Sequence, residues 1–225
     1  MQIFTENFKS SPYWWEKAPR PKIEIKKVPE KIDVAIIGSG YTGLCAALTL
    51  AKAGCEVVVF DAEDAGWGCS SRNGGQVSTS IKPGFRKLCG QFGEAAATKI
   101  IKEGQNSLDW LKDFIAREKI DCSFKVPGRF FAAHSQREFD LLAANLKAQP
   151  ASLEVKAKLV TRAEQRKELG TDIYHGGAVF ESHASIDPAL YHSALLEKVL
   201  KAGVTIITNC RVKKIRKHNA ECSLD

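Results

Sequence analysis

The stretch IDVAIIGSGYTGLCAALTLAKAGCEVVVFD, residues 32–61, decides how the chain is read. It opens with Ile32-Asp-Val-Ala-Ile-Ile37, which is apolar almost throughout, as a strand buried on both faces should be. Gly38-Ser39-Gly40-Tyr41-Thr42-Gly43 comes immediately after. A helix is expected from about Tyr41 to Ala53, with Leu44, Ala47, Leu48 and Ala51 on one face and Gly54 as its stop. A second strand, residues 56–60, ends at Asp61.

The three glycines have separate tasks in such a unit. Gly38 permits the tight turn out of the strand, Gly40 lets backbone approach a pyrophosphate, and Gly43 lets the helix pack on the strand. The helix N-terminus then offers unpaired N–H groups and partial positive charge to the phosphates. A lone GxGxxG is weak evidence. Here it joins a buried strand to an amphipathic helix, and an acid stands at the end of the next strand. Asp61 can accept hydrogen bonds from an adenosine ribose, and its charge disfavours a 2′-phosphate. The unit therefore reads as a Rossmann-like dinucleotide site.

The next segment, AEDAGWGCSSRNGGQVSTSIKPG at residues 62–84, selects the dinucleotide. A nicotinamide domain should continue with a helix and a third apolar strand. This chain instead inserts a loop rich in Gly, Ser and Asn, then helices. Such a loop supplies backbone donors for a second part of a cofactor, which favours FAD. A mobile surface loop is the plain alternative.

Further on, a helix is expected from about Phe85 to Ile120 with a break near Gly90 to Gly93. Phe124 and Val126 alternate, and residues 130–133 read as a strand. A helix spans about Gln136 to Gln149, and Thr161-Arg-Ala-Glu164 is a capping box. Ile173 to His183 reads as a strand interrupted at Gly176-Gly177. Asp187-Pro188 opens a helix that carries Tyr191, Leu195 and Val199 inward and ends at Gly203. Strands are expected at residues 204–207 and 210–215.

The chain has 225 residues, is 44% hydrophobic and 26% charged, and so can build an ordinary soluble core. Its net charge is +7, but the basic residues are spread out, and the densest run, residues 211–217, is explained by a strand with a solvated face. Nucleic acid is not an expected partner. No apolar run approaches the roughly 20 residues of a membrane span, and residues 1–22 lack the apolar core of a secretory signal. Seven cysteines without CxxC spacing suit reduced thiols and a cytoplasmic location. Pro12, Pro19, Pro21 and Pro29 exclude a long helix in the first 30 residues, where Tyr13, Trp14 and Trp15 are expected to dock an arm onto the body.

Residues 61–76, DAEDAGWGCSSRNGGQ, resemble the second FAD motif of the D-amino-acid-oxidase-type flavoproteins, and most of all the amine-oxidising branch that includes gamma-glutamylputrescine oxidoreductase. Tyr13-Trp14 and the Gly40 to Gly43 motif are similar to that branch, as is the block from Ile186-Asp187-Pro188 to Val212. The resemblance implies an α/β fold: a Rossmann-like FAD-binding domain of the glutathione-reductase type, with an inserted, incomplete α+β substrate domain. The expected segments are an arm at 1–30, the first part of the FAD domain at 31–84, a helical and substrate-domain segment at 85–184, and a return to the FAD domain at 185–225.

By matching, Gly38, Ser39, Gly40, Tyr41, Thr42 and Gly43 would serve the pyrophosphate, and Asp61 and Ala62 the adenosine ribose. Ser70, Ser71, Arg72, Asn73, Gly74, Gly75 and Gln76 would run along the pyrophosphate and flavin, and the Val212 backbone would meet the adenine. Cys69 stands where the family pattern has Ala, and Ser71 where it has Gly. The implied reaction takes a hydride from the carbon beside nitrogen in a small amine or amino acid. No catalytic residue is assigned. Tyr174, His175 and His183 are candidates to face substrate, but such residues are more often packed or solvated. Family members are longer, so the chain reads as the N-terminal half of such an enzyme. A non-catalytic flavin-binding or interaction module and an NAD-dependent dehydrogenase are the competing readings.

Overall fold

A computed structural model describes residues 3–24, 26–153, 155–218 and 221–224. In chain order its regular elements are α1 (Trp14–Lys17), β1 (Val34–Ile37), α2 (Tyr41–Lys52), β2 (Val57–Phe60), β3 (Gln76–Val77), α3 (Phe85–Phe92) and α4 (Glu94–Arg117). Next come β4 (Arg129–Ala132), α5 (Gln136–Lys147), β5 (Ala157–Val160), β6 (Gly177–Phe180), β7 (Ala184–Ser185), α6 (Pro188–Lys201), β8 (Thr205–Ile207), β9 (Ile215–His218) and β10 (Glu221–Leu224). Two compact units divide them. The first comprises Met1–Gly75, Ile120–Ser123 and Asp187–Asp225; the second comprises Gln76–Lys119 and Phe124–Ile186.

The first unit is α/β. Its parallel sheet has the order β1-β2-β8, so the strand beside β2 arrives only after the inserted residues. All four residues of β2 are buried, as a central strand of β-branched and aromatic residues should be. Helices α2 and α6 pack together, and Leu44, Ala47, Leu48, Leu195, Leu196 and Val199 are buried. Val58, Phe60 and Ile207 form a second cluster with Ile32, Cys210 and Val212.

Two expectations are corrected here. β1 is not buried on both faces: its exposure alternates, and Ile37 is 51% exposed. Ile36 faces Gly43 of α2, while Ala35 and Ile37, at the edge of the described sheet, point to the uncovered side. Residues 210–214 form no strand; Asn209 takes a left-handed φ of 54° and turns the chain, and Cys210 N–H donates to the Asp61 carbonyl. The strand comes later, as β9, which pairs antiparallel with β10.

In the second unit β6 is the centre of an antiparallel sheet, β4-β6-β5. The expected helical break occurs at Gly93, whose φ of 79° separates α3 from α4. These two helices enclose Phe85, Leu88, Ala97, Ile101 and Leu153. Ser135 caps α5 by accepting from Glu138 N–H, and the Glu138 carboxylate accepts from His134 N–H. A short β3–β7 ladder places Thr79 beside His183. No helix among the described residues is long and apolar enough to cross a membrane.

Candidate cofactor site

The site is built around the end of β1, where Gly38 has a φ of 96° and its N–H donates to the Phe60 carbonyl at 2.7 Å. Gly40 is the N-cap of α2, and the intrahelical ladder begins with Leu44 N–H to Gly40 O. The first-turn donors, those of Thr42 and Gly43 among them, have no carbonyl one turn back. A helix end of this kind suits a pyrophosphate. A Cβ on Gly43 would overlap the Gly38 carbonyl oxygen, so the helix approaches the strand as closely as a bare backbone permits. These residues fit a dinucleotide.

Asp61 is more engaged than its place in the sequence suggests. Its Oδ2 accepts from Ser39 N–H at 2.7 Å and from the Ser39 hydroxyl at 2.5 Å, and its Oδ1 accepts from Glu63 N–H at 3.0 Å. A carboxylate offers about four acceptor positions. Three go to the protein's own backbone and hydroxyl, which leaves room at Oδ1 for one ribose hydroxyl rather than two. Ala62 beside it is half-buried.

Residues 69–75 form a second loop against the first. Cys69–Ser71 is a single 3-10 turn. Asn73 shapes the rest of the loop, since its Oδ1 accepts from Gly75 N–H and its Nδ2 donates to the Cys69 carbonyl. Tyr41 N–H donates to Ser70 Oγ at 3.2 Å, and Asn73 Nδ2 donates to the Tyr41 hydroxyl at 3.4 Å. The two glycine-rich loops are thus one connected surface. Arg72, Asn73 and Gly74 are exposed on it, and Gly75 is buried. Gln76 belongs to the second unit, where it opens β3. Val212 is half-buried against Val58, Phe60 and Ile207.

Two residues of α6 complete the support, and sequence reasoning missed one of them. Tyr191, already placed on the inward row, packs edge-on against Tyr41 at 5.0 Å. Burial pushes the Tyr41 phenol up to about 12, so it stays protonated and donates to the Pro188 carbonyl at 3.1 Å. His192 was not anticipated. It is 2% exposed, and its Nε2 lies 2.7 Å from the Ser39 carbonyl. A carbonyl only accepts, so Nε2 carries the proton. Ser39 is therefore held from both sides, by Asp61 and by His192. A polar residue one place beyond the inward Tyr191 was the available signal.

Burial holds His192 below the ordinary histidine value of 6.5. As pH falls through that value the unfolded chain takes up a proton that the folded chain resists. The stability gained from keeping it neutral is complete above about pH 6.5 and is lost on acidification. His183 of the second unit, also held low by burial and then by Arg129, adds to the same slope. The melting temperature should fall as pH drops from about 6.5 toward about 5, and His192→Gln should flatten part of that fall. An unchanged pH dependence in the variant would refute the assignment.

The remaining sequence candidates lie in the second unit. His183 stacks on Phe180 at 5.0 Å, with Nε2 3.2 Å from Thr79 Oγ1. Tyr174 packs edge-on against His134, and its carbonyl accepts from buried Gln165. His175 N–H donates to the Ala133 carbonyl. The described contacts bring neither Tyr174 nor His175 to His183.

Comparison with known proteins agrees with this geometry. The family model described as FAD dependent oxidoreductase matches residues 33–223. A probable oxidoreductase, OrdL, of Haemophilus influenzae is 29% identical over 79% of the chain and 41% of its own length. Gamma-glutamylputrescine oxidoreductase of Escherichia coli is 31% identical over 69% of the chain and 36% of its own length. The solved structure of L-amino acid deaminase from Proteus vulgaris superposes with a TM-score of 0.70 at 20% identity, over 89% of this chain and 45% of that one. The chain thus spans less than half the length of these relatives.

Proposed function

Because the chain belongs to the FAD-dependent oxidoreductase family, we propose that it takes part in oxidising the C–N bond of a small amine or amino acid. The observation that carries the reading is the joined pair of loops, residues 38–43 and 69–75, linked by Tyr41 N–H to Ser70 Oγ. It is an FAD site in the proposal, and FAD rather than NAD is the cofactor of the family. The substrate class is supported by the 31% identity to gamma-glutamylputrescine oxidoreductase.

Bound FAD supplies the hydride acceptor. The protein's part is placement. Gly38, Ser39, Gly40, Thr42 and Gly43 would present backbone to the pyrophosphate, and Asp61 would hold one ribose hydroxyl through Oδ1. Ser70, Arg72, Asn73, Gly74 and Gly75 would continue the surface toward the flavin, with Gln76 beyond them and the Val212 backbone near the adenine. Arg72 is suited to phosphate charge. The proposed location is the cytoplasm, where thiols such as these stay reduced.

Purification followed by a visible spectrum and anaerobic titration with a panel of amines and amino acids tests this. A yellow protein bleached by one class of amine is the expected result. A yellow protein inert to the whole panel would favour a flavin-binding module over an oxidase.

A further inference from the structure

The arm that precedes the sheet is tied to the second loop by two indole hydrogen bonds. Trp14 Nε1–H donates to the Asn73 carbonyl at 2.8 Å. Trp15 Nε1–H donates to Ser71 Oγ at 2.7 Å, and Ser71 Oγ–H donates to the Gly66 carbonyl. Both bonds span more than fifty residues of chain and end within three residues of each other. Around them Trp15 and Trp67 lie 5.7 Å apart, and the Arg20 guanidinium sits 4.4 Å from the first ring and 5.0 Å from the second. Arg72 lies 5.8 Å and 5.2 Å from the same rings. Arg20 is anchored in turn by Asp64 at 3.0 Å.

Ser71 is one of the two loop residues, with Cys69, that depart from the pattern the resemblance implies; that pattern has glycine at this place. A glycine has no hydroxyl to accept from Trp15 Nε1–H at this point. The departure and the indole donor therefore form one device: the hydroxyl gives the arm something to hold. It is 2% exposed, so its hydrogen bonds are made inside the protein rather than to water.

We propose that Trp14 and Trp15 are positioning residues for the cofactor: they hold residues 69–75 in the shape that retains FAD, acting through the Asn73 carbonyl and the Ser71 hydroxyl. This rests on the reading of that loop as part of the FAD site. The arm is a latch that closes over the loop, and its contribution is to slow FAD release. Stacking of Arg20 and Arg72 on the two indoles keeps the latch in register.

The test uses the whole chain and measures FAD affinity and release by flavin fluorescence, with the shape of the visible flavin band as a second signal. Trp15→Phe keeps a packed ring and removes the donor; Ser71→Ala removes the acceptor. Each should weaken FAD binding about threefold to tenfold, and the double variant should be no worse than the poorer single one. Trp14→Phe should act similarly, and Trp110→Phe, at an exposed position of α4, should leave affinity unchanged. Folding is checked by circular dichroism of the apoproteins; if Trp15→Phe does not fold, Ser71→Ala and Trp14→Phe decide. Full FAD affinity and an unaltered flavin band in the folded variants would overturn the proposal. A wild-type chain that takes up no FAD would overturn the underlying site reading instead.

Discussion

Gly43→Ala should yield a colourless protein destabilised by about 3 kcal/mol. The added methyl would overlap the Gly38 carbonyl oxygen and lie 3.3 Å from Ile36 Cγ2. Neither neighbour can yield cheaply. The first is backbone, fixed by Gly38 N–H bonding to Phe60 O; the second belongs to β1 and faces the helix. Helix α2 must therefore move away from the sheet, and its N-terminal donors move with it. Overpacking usually costs about 1–3 kcal/mol, and a backbone clash belongs at the upper end. Calorimetry measures the stability, and the ratio of visible to ultraviolet absorbance measures retained flavin. A yellow variant with the wild-type melting temperature would refute the close approach.

Asp61→Ala should be nearly as damaging, by a different route. It strands three donors, Ser39 N–H, Ser39 O–H and Glu63 N–H, in a part-buried place. Bonds to a charged acceptor are stronger than neutral ones, so a loss of about 3 kcal/mol is expected. FAD affinity should fall about tenfold or more, because the ribose loses an acceptor and the glycine loop loses its tether. Asp61→Asn separates the two effects. One amide oxygen can still accept, but the amide nitrogen faces donors, so stability should be intermediate. Wild-type affinity in Asp61→Ala would show that the carboxylate serves only the apoprotein.

Much of the first unit is legible in the residues themselves. The run Val57 to Phe60, the glycine spacing and the 3.6-residue pattern after Gly43 each depend on local chemistry, and each has the expected form. Asp187-Pro188 likewise announces α6, since the cap and the ring act within one turn: Asp187 Oδ1 accepts from Ala189 and Leu190 N–H. The features that escape such reading depend on distant partners. Ile37 looks like core because its neighbours are apolar, yet exposure at β1 is set by what covers that side. Nothing local tells that Ser39 occupies Asp61, or that His192, on a helix far along the chain, reaches the Ser39 carbonyl. The basic run after Cys210 alternates as a strand should, but a strand needs an edge to pair with, and the available one lies at residues 221–224.

The place of β8 beside β2 has a consequence for the chain as it is made. Val58 emerges from the ribosome long before Thr205, its partner. At roughly 5–20 residues per second, on the order of ten seconds or more pass before that edge of β2 can be covered. During that interval Val57-Val-Val-Phe60 is a short, uncharged, β-prone segment with an unpaired side. The second unit, built of contacts among residues 76–119 and 124–186, can form meanwhile. Nascent-chain aggregation, and any demand for chaperones, should therefore fall in the window between the synthesis of residue 60 and that of residue 207, and should ease once β8 has docked.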